Sequence, residues 1–449
     1  MILWIMPTSS LTGHSIHGGY YDKLAKAFSM GRLDVGIAPA VITSLKDPYG
    51  PEHKKYTLHP HLALWDYSLY KGRLYLYFGA APALLLYLPY QLITGTALSD
   101  GLALITLLLL TTGGCVAITL RLRKKSFALV PTWIFGLAGL VLVTNSLWFI
   151  LVARARTYEI PVAACAAAMT WAIWATVLAA TPDENRRKNL AIASLLYGIA
   201  IASRPHFIVA ICAIYVTMLV LFRKDNYSST GNRLTEKILD AFAMFTPFCM
   251  ILLTMAAYNY FRFDNIFEFG VRYQMGEVDQ SHLTFFDPSR IPSGLWISLI
   301  HLPHRIAHFP YLAPVGIHSG YLRNGRIFIE NPLGFLWVAP WLPAAFWIYA
   351  RQSNPRSIDA RPIGGQLNLT IGLYTLVGLV MLAMTSSWCA YIDRYASDFG
   401  YFLSGAGLLV LLHGSASSGL QERRFCRTTI SIAAIWGCYM TAVVTYPYW

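Results

Sequence analysis

The sequence predicts an all-α polytopic membrane protein with a bundle of about ten transmembrane helices, as composition, apolar runs and charge placement all indicate. Of its 449 residues, 56% are hydrophobic and 13% are charged, and the mean hydropathy is +0.48. A water-soluble core cannot bury that much apolar surface. The net charge of +13 is carried largely by short loops between apolar runs. That placement is typical of membrane orientation and argues against nucleic acid as a partner.

Apolar runs of about 20 residues are long enough to cross a bilayer. The predicted spans are 101–120, 127–151, 160–180, 206–222, 238–259, 333–350, 369–388, 399–413 and 429–446. A shorter run, 190–203, ends at Arg204-Pro205 and predicts a half-length or tilted helix. The opening MILWIMP lacks the length and the positive lead of a signal peptide, and we expect it to be the tail of a truncated first helix.

Basic loops set the orientation of these spans. Five of them hold 17 of the 35 Lys and Arg residues: 121–126, 181–189, 223–237, 351–368 and 414–428. The positive-inside rule therefore places these five loops in the cytoplasm.

The stretch WDYSLYKGRLYLYFGAAPALLLYLPYQLITG, residues 65–95, decides where the N-terminal region lies. If 79–95 crossed the membrane, everything before it would be cytoplasmic. Its short length, Pro82, Pro89 and tyrosine-rich lead favour a broken helix in the outer interface instead. The predicted organisation is then an external loop over 1–100, transmembrane helices over 101–259, a second external loop over 260–332 and transmembrane helices over 333–449.

Carboxylates and arginines reach this external face from several separate segments. They are Asp22, Asp66, Arg154, Arg156, Glu159, Arg204, Arg262, Glu268, Arg272, Asp393, Arg394 and Asp398. Arginine suits phosphate oxygens through bidentate hydrogen bonds, and a carboxylate can take a proton from an attacking hydroxyl or amine. The pattern favours a site for a lipid with a phosphate head. The alternative is that these charges only snorkel and pair with one another.

Histidines and cysteines show no specific metal spacing. HSIH (14–17) and HPH (59–61) match no metal motif, and the seven cysteines form no CxxC pair. We predict no metal site and no cofactor, although the sequence leaves a divalent ion open.

From about Tyr20 to Asp398 the chain resembles the GT-C glycosyltransferases, which are polytopic enzymes acting on the outer or luminal face. The segments that carry the resemblance are YYDKLAKAFSMGRL, LYLYFGAAPALLLYLPYQLITG, ARARTYEIPVAA, YNYFRFDNIFEFGVRYQ and IDRYASDF. The first two are similar to juxtamembrane segments, and the third to the second external turn. Protein mannosyltransferases and aminoarabinose transferases carry an acid before the first juxtamembrane helix, where this chain has HSIHGG.

The resemblance implies transfer of a sugar from a polyprenyl-phosphate donor to an acceptor outside the cytoplasmic (inner) membrane. Asp66 or Asp22 is the candidate base, with Glu159 sharing that role or positioning the acceptor. Candidate phosphate ligands are Arg272, Arg394, Arg204 and Arg156. Candidate sugar or acceptor contacts are Trp65, Tyr158, Glu268, Tyr273, Tyr395 and Asp398. The partners expected are this donor and membrane lipid, with the sugar and the acceptor left open.

Two other functions stay open. A lipid transporter or flippase predicts charges in the middle of spans and inverted repeats, and the sequence shows neither clearly. A non-catalytic membrane scaffold is the other alternative.

Overall fold

Helices dominate the computed structural model, which describes residues 19–50, 64–181, 184–223, 233–276, 279–281, 283–316, 318–319, 328–353 and 363–448. The α-helices are α1 (Tyr20–Ser29), α2 (Ala40–Thr43), α3 (Leu88–Thr94), α4 (Asp100–Ser126), α5 (Thr132–Asn145), α6 (Trp148–Arg154), α7 (Glu159–Ala179), α8 (Arg186–Ser203), α9 (Ile208–Arg223), α10 (Arg233–Phe263), α11 (Ile291–Leu295), α12 (Phe335–Val338), α13 (Leu342–Gln352), α14 (Gly365–Ser386), α15 (Ala396–Gly414) and α16 (Leu420–Thr445). Single π turns cover Ala83–Tyr87 and Trp296–Ile300, and 3₁₀ turns cover Pro205–Phe207, Val271–Tyr273, Pro288–Arg290, Asp393–Tyr395 and Tyr446–Tyr448.

Six of the described helices are long and apolar enough to cross a bilayer: α4, α7, α10, α14, α15 and α16. Helices α5 and α6 are bent by 54° relative to each other and make a seventh span if they are counted together. The break between them falls at Leu147, which has a left-handed φ of 60°. The chain is therefore an all-α, multi-pass membrane protein, which confirms that prediction.

The described helices supply fewer full spans than the ten counted from apolar runs. The run 333–350 is divided into α12 and α13, because Pro340 cannot donate to a helix that continues through it. The run 206–222 forms a short apolar helix, Pro205–Leu221. The run 190–203 lies in α8, which begins one turn earlier at Arg186.

The segment 79–95 is too short to cross the membrane. Its apolar helix covers Ala83–Thr94, which at about 1.5 Å per residue is roughly 18 Å, against about 30 Å for the hydrocarbon core. Gly95 ends the helix in the left-handed conformation (φ 70°). Tyr87 is buried towards α1, while Leu92 and Ile93 are exposed. The position of this helix in the outer interface stays a prediction.

The basic loops come together at one end of the bundle. Arg121 pairs with Glu184 at 3.0 Å, and Arg186 pairs with Asp240 at 3.0 Å. At the same end, Gln366 donates to Thr181 at 2.8 Å and Gln352 donates to Glu422 at 2.6 Å. These contacts join loops that the positive-inside rule had assigned to one side.

The helix ends on the predicted external side meet at the opposite end. The side chain of Thr157, just before α7, donates to Asp100 at the start of α4 (3.0 Å). Arg154 at the end of α6 pairs with Asp393, just before α15, at 3.0 Å. The side chain of Arg262, near the end of α10, donates to the Leu76 carbonyl at 2.7 Å. The connections between successive helices thus lie at alternate ends of the bundle, as the orientation rule requires.

Helix α15 is the centre of the bundle, since every residue from Ala396 to Gly414 is buried. It packs against α5, α13, α14 and α16. Glycines make room for large neighbours along it: a Cβ at Gly400 would lie 2.5 Å from the Phe335 ring, and one at Gly405 would lie 2.7 Å from the Tyr374 ring. Because α15 is fixed on several sides, the residues at its N-terminal end are rigidly placed.

Three small sheets lie in the segments outside the bundle. The strands are β1 (Gly36–Ile37), β2 (Tyr67–Tyr70), β3 (Arg73–Leu76), β4 (His304–Arg305), β5 (Leu312–Ala313), β6 (His318–Ser319), β7 (Phe328–Glu330) and β8 (Ala390–Ile392). The sheet orders are β1-β3-β2, β4-β5 and β6-β7-β8, all antiparallel except for the parallel pair β7 and β8. The predicted boundaries at 100, 259 and 332 stay predictions.

Candidate functional site

Asp66 lies where the two segments predicted to be external meet. It precedes β2 in a left-handed conformation (φ 63°), and its backbone N–H donates to the carbonyl of Met275 at 2.9 Å. Its carboxylate accepts one hydrogen bond from the Tyr158 hydroxyl and another from the Gln274 side-chain amide. The side chain is buried, so three separate parts of the chain fix its position.

The β2–β3 hairpin, which begins directly after Asp66, helps to fix the position of this residue. Lys71 and Gly72 both have positive φ (48° and 75°), as a tight hairpin turn requires. The register places Leu76 opposite Tyr67, the residue after Asp66. The buried Arg262 guanidinium donates to the Leu76 carbonyl at 2.7 Å and so fixes the hairpin to the end of α10.

Arg394 stands on the other side of Tyr158. Its guanidinium carbon lies 4.9 Å from the centre of the Tyr158 ring and 5.5 Å from that of Tyr395. Its closest carboxylate contact is a long one, 3.8 Å from Nη1 to Glu159 Oε1. No group in the described parts of the chain accepts a hydrogen bond from this guanidinium. Arg394 therefore has donors available for an anion.

Arg204 lies near the Tyr395 ring, which Arg394 also faces. Its guanidinium carbon is 5.9 Å from the Tyr395 ring, and it pairs with the buried carboxylate of Asp398. His206 also faces Asp398, with 3.5 Å between Nε2 and Oδ2. The Arg204 Nε atom is buried and has no hydrogen-bond partner among the described residues. Two guanidiniums with unused donors thus reach one aromatic ring.

Arg154 is the centre of a buried ionic network. Its Nη1 atom lies 3.0 Å from Glu330 and 3.0 Å from Asp393, and its Nε atom lies 3.2 Å from Glu159. Three carboxylates therefore surround one guanidinium, and Arg394 contributes a second positive charge through Glu159. Because three carboxylates surround its guanidinium, Arg154 is better placed to hold the site together than to bind a ligand.

The structure separates the candidate acids. Glu159 is fully buried within the Arg154 network and also accepts the Arg156 backbone N–H at 3.2 Å. Asp22 lies off the buried face of α1, and its side chain accepts from Gln91, which is part of the helix Ala83–Thr94. Of the three, Asp66 alone contacts both Tyr158 and the second external segment in the described chain.

Several predicted ligands lie outside this centre. The Arg272 side chain is exposed, and so is that of Arg156. Glu268 accepts from the Gly270 N–H at 2.6 Å, a contact within its own loop. Tyr273 stacks on Phe263 with ring centres 5.7 Å apart.

Trp65 and Tyr77 lie close to Asp66 without a side-chain hydrogen bond to it in the described residues. Trp65 precedes it in sequence, and its carbonyl accepts from the Tyr20 hydroxyl. Burial and the nearby charge of Asp66 raise the pKa of Tyr20, of Tyr77 and of Tyr158. These phenols therefore stay protonated at neutral pH, so the Tyr158 hydroxyl remains a donor to the carboxylate.

Sequence reasoning missed Gln274, Glu330 and Gly79. An isolated amide or carboxylate in a loop gives no signal of its partner. Gly79 does give a sequence signal, because it directly follows the aromatic pair Tyr77-Phe78. A Cβ at Gly79 would overlap the carbonyl groups at the end of α8, at 2.7 Å from the Ser203 carbonyl carbon. Only glycine lets this segment reach the backbone beside Arg204.

One apolar cavity lies away from Asp66 and Arg394. A space of about 640 Å³ lies between α16, the π turn Trp296–Ile300 and the segment around α12. Its lining is apolar, with Trp337, Trp341 and Trp436 prominent, and all three indole N–H groups donate within the protein. Such a cavity suits hydrocarbon and not the chemistry of a sugar phosphate.

Metal binding finds no support in the described residues, which contain no group of three potential ligands. The motifs HSIH and HPH lie outside the part of the chain that the structure describes.

Comparison with known proteins gives limited information. No family model and no curated protein matches the chain. Among solved structures, it is similar to the crystal structure of ArnT from Cupriavidus metallidurans bound to undecaprenyl phosphate. The similarity covers 99% of this chain and 75% of that one, with 12% identity and a TM-score of 0.44. A likeness at this level does not establish a shared activity.

Proposed function

We propose that the protein is a membrane glycosyltransferase that moves a sugar from a polyprenyl-phosphate donor to an acceptor on the external face of the inner membrane. One observation carries the proposal: the buried carboxylate of Asp66 and the unsaturated guanidinium of Arg394 flank the same side chain, Tyr158. A base and an anion-binding group are thereby held next to each other.

Arg394 and Arg204 are the proposed phosphate ligands. Both have guanidinium donors without a partner in the described residues, and both reach the Tyr395 ring. Charge-assisted hydrogen bonds from arginine to phosphate are short and strong, and they strengthen as negative charge develops on a leaving phosphate.

Asp66 is the proposed base. Its carboxylate accepts hydrogen bonds from Tyr158 and Gln274, one on each oxygen, and a carboxylate has about four lone-pair positions in all. The acceptor oxygen or nitrogen forms a bond to the anomeric carbon as its proton passes to Asp66. The bond between that carbon and the donor phosphate oxygen breaks, and the phosphate leaves as an anion beside Arg394.

Charge distribution supports the proposed external location. The basic loops occupy the end of the bundle opposite to Asp66 and Arg394, and the interfacial helix Ala83–Thr94 lies at the Asp66 end. Nucleotide sugars are confined to the cytoplasm, so a lipid-linked donor fits a site on the outer side.

A transfer assay tests the proposal. Membranes containing the protein are supplied with radiolabelled polyprenyl-phosphate sugars, and labelled macromolecules are measured. Asp66→Asn should lower transfer about 10²- to 10⁴-fold through loss of the base. Arg394→Gln should lower it about 10²- to 10³-fold through loss of phosphate stabilisation.

Matched controls are available on the same external segments. Asp264→Asn removes an exposed carboxylate that pairs with Lys71 at 2.6 Å, and Arg73→Gln removes an exposed guanidinium that pairs with Asp34 at 2.7 Å. Both should keep wild-type transfer. Full activity in Asp66→Asn and Arg394→Gln, with the proteins folded, would contradict the proposal.

A further inference from the structure

Tyr158 contacts both halves of the proposed site. Its hydroxyl donates to Asp66 Oδ2, and the Arg394 guanidinium lies 4.9 Å from its ring centre. The backbone around it is held on both sides. Thr157 before it donates to Asp100 at 3.0 Å, and Glu159 after it is buried in the Arg154 network. The ring also packs edge-on against Phe78, 5.5 Å between centres.

We propose that Tyr158 is a positioning residue with two separable parts. Its hydroxyl orients the Asp66 carboxylate and keeps it ionised, and its ring holds the Arg394 guanidinium beside it. The length of one tyrosine side chain then sets the spacing between the base and the phosphate ligand. This inference rests on the proposed function and gives Tyr158 a role other than sugar contact.

The other groups around Asp66 do not duplicate this hydroxyl. Gln274 donates from the second external segment to the other carboxylate oxygen. The phenols of Tyr20, from α1, and Tyr77, after β3, lie close enough for the charge of Asp66 to raise their pKa. These three groups are neutral, and Arg394 is the nearby cation beyond Tyr158. Without the Tyr158 hydroxyl, Oδ2 loses this donor and the ionised carboxylate is less favoured.

Two substitutions separate the two parts. Tyr158→Phe keeps the ring and removes the hydroxyl, so the acidic limb of kcat/KM against pH should move up by about one pH unit. Binding of undecaprenyl phosphate to the protein in nanodiscs should stay within about twofold, since the cation–π contact is kept. Tyr158→Leu removes both parts, so it should shift the limb equally and also weaken undecaprenyl phosphate binding up to about 10-fold.

Tyr395→Phe is the matched control. It makes the same chemical change on the other ring that Arg394 faces, and no hydrogen bond joins Tyr395 to Asp66 in the described chain. Its acidic limb should stay at the wild-type pH, whatever its rate. If Tyr158→Leu does not fold, Tyr158→Phe still decides the role of the hydroxyl.

The outcomes separate the inference from the proposed function. Wild-type protein that binds undecaprenyl phosphate and transfers sugar, with an unmoved limb in Tyr158→Phe, overturns the inference alone. Wild-type affinity in a folded Tyr158→Leu variant overturns the role of the ring. Wild-type protein that neither binds the lipid phosphate nor transfers sugar overturns the proposed function, and the inference with it.

Discussion

At the scale of single residues, the arginines of the external end divide into two kinds. Arg154 is surrounded by Glu159, Glu330 and Asp393, whereas Arg204 pairs with Asp398 and Arg394 has a long contact with Glu159. Residue type and membrane side are the same in all three cases. What distinguishes them is the number of carboxylates within reach, and that number depends on segments far apart in the sequence.

This division leads to a stability prediction. Arg154→Met should lower the free energy of unfolding by about 3–5 kcal/mol, because it leaves three carboxylates buried without their shared cation. Thermal unfolding of the purified protein in detergent measures the effect. Arg156→Gln, two positions along and exposed, should stay within about 0.5 kcal/mol of wild type. Equal stability of Arg154→Met and wild type would show that the network does not hold the site together.

Chain direction placed Asp66, Glu159, Arg204, Arg394 and Asp398 at one end of the bundle, opposite to the basic segments. Their roles in a site stay predictions. Orientation around a helix was harder. The sequence offered Asp22 and Asp66 equally as bases, and only the buried face of α1, which carries Tyr20, Tyr21 and Leu24, shows that Asp22 points elsewhere.

At the scale of elements, the approach of the segment 77–81 to the end of α8 determines the shape of the site. Gly79 lies against the carbonyls of Ala202 and Ser203, and its own carbonyl accepts from the Tyr21 hydroxyl at 3.2 Å. Phe78 is thereby placed edge-on against the Tyr158 ring, with 5.5 Å between ring centres. Apolar periodicity gives no information about such a contact, because it depends on the absence of a side chain.

Gly79→Ala tests this contact. The added methyl group meets backbone atoms that cannot rotate away, so we expect a loss of about 1–3 kcal/mol in the free energy of unfolding. The interfacial helix should also be displaced, which protease protection of residues 64–95 would report. Gly372→Ala in α14 is the control, since nothing lies within 4 Å of its added Cβ. Wild-type stability and wild-type protection in Gly79→Ala would contradict the close contact between this segment and the end of α8.

At the scale of the whole molecule, the fold follows from composition and charge placement, but the number of full spans does not. Apolar runs predict helices of adequate hydrophobicity, and α4, α7, α10, α14, α15 and α16 are such helices. The run 333–350 has the same composition but is divided at Pro340. Hydropathy averages over a window and therefore does not register one missing backbone donor.

Membrane sidedness can be measured directly. In a background with the native cysteines replaced by serine, Lys71→Cys should react with a membrane-impermeant maleimide in intact cells. Lys124→Cys should react only after permeabilisation, because it lies in the basic loop at the other end of the bundle. Both positions are exposed and outside the proposed site. Reaction of both from the same side of the membrane would contradict the orientation of the bundle.

The hydrogen bonds around Asp66 have a consequence for biosynthesis. Asp66 is synthesised early, Tyr158 some ninety residues later, and Gln274 more than two hundred residues later. Arg394 follows after a further hundred, beyond most of the spans. A ribosome therefore inserts several helices into the membrane before the acid acquires its neighbours. Polypeptides released early would therefore carry Asp66 in the bilayer without Tyr158, Gln274 or Arg394 beside it.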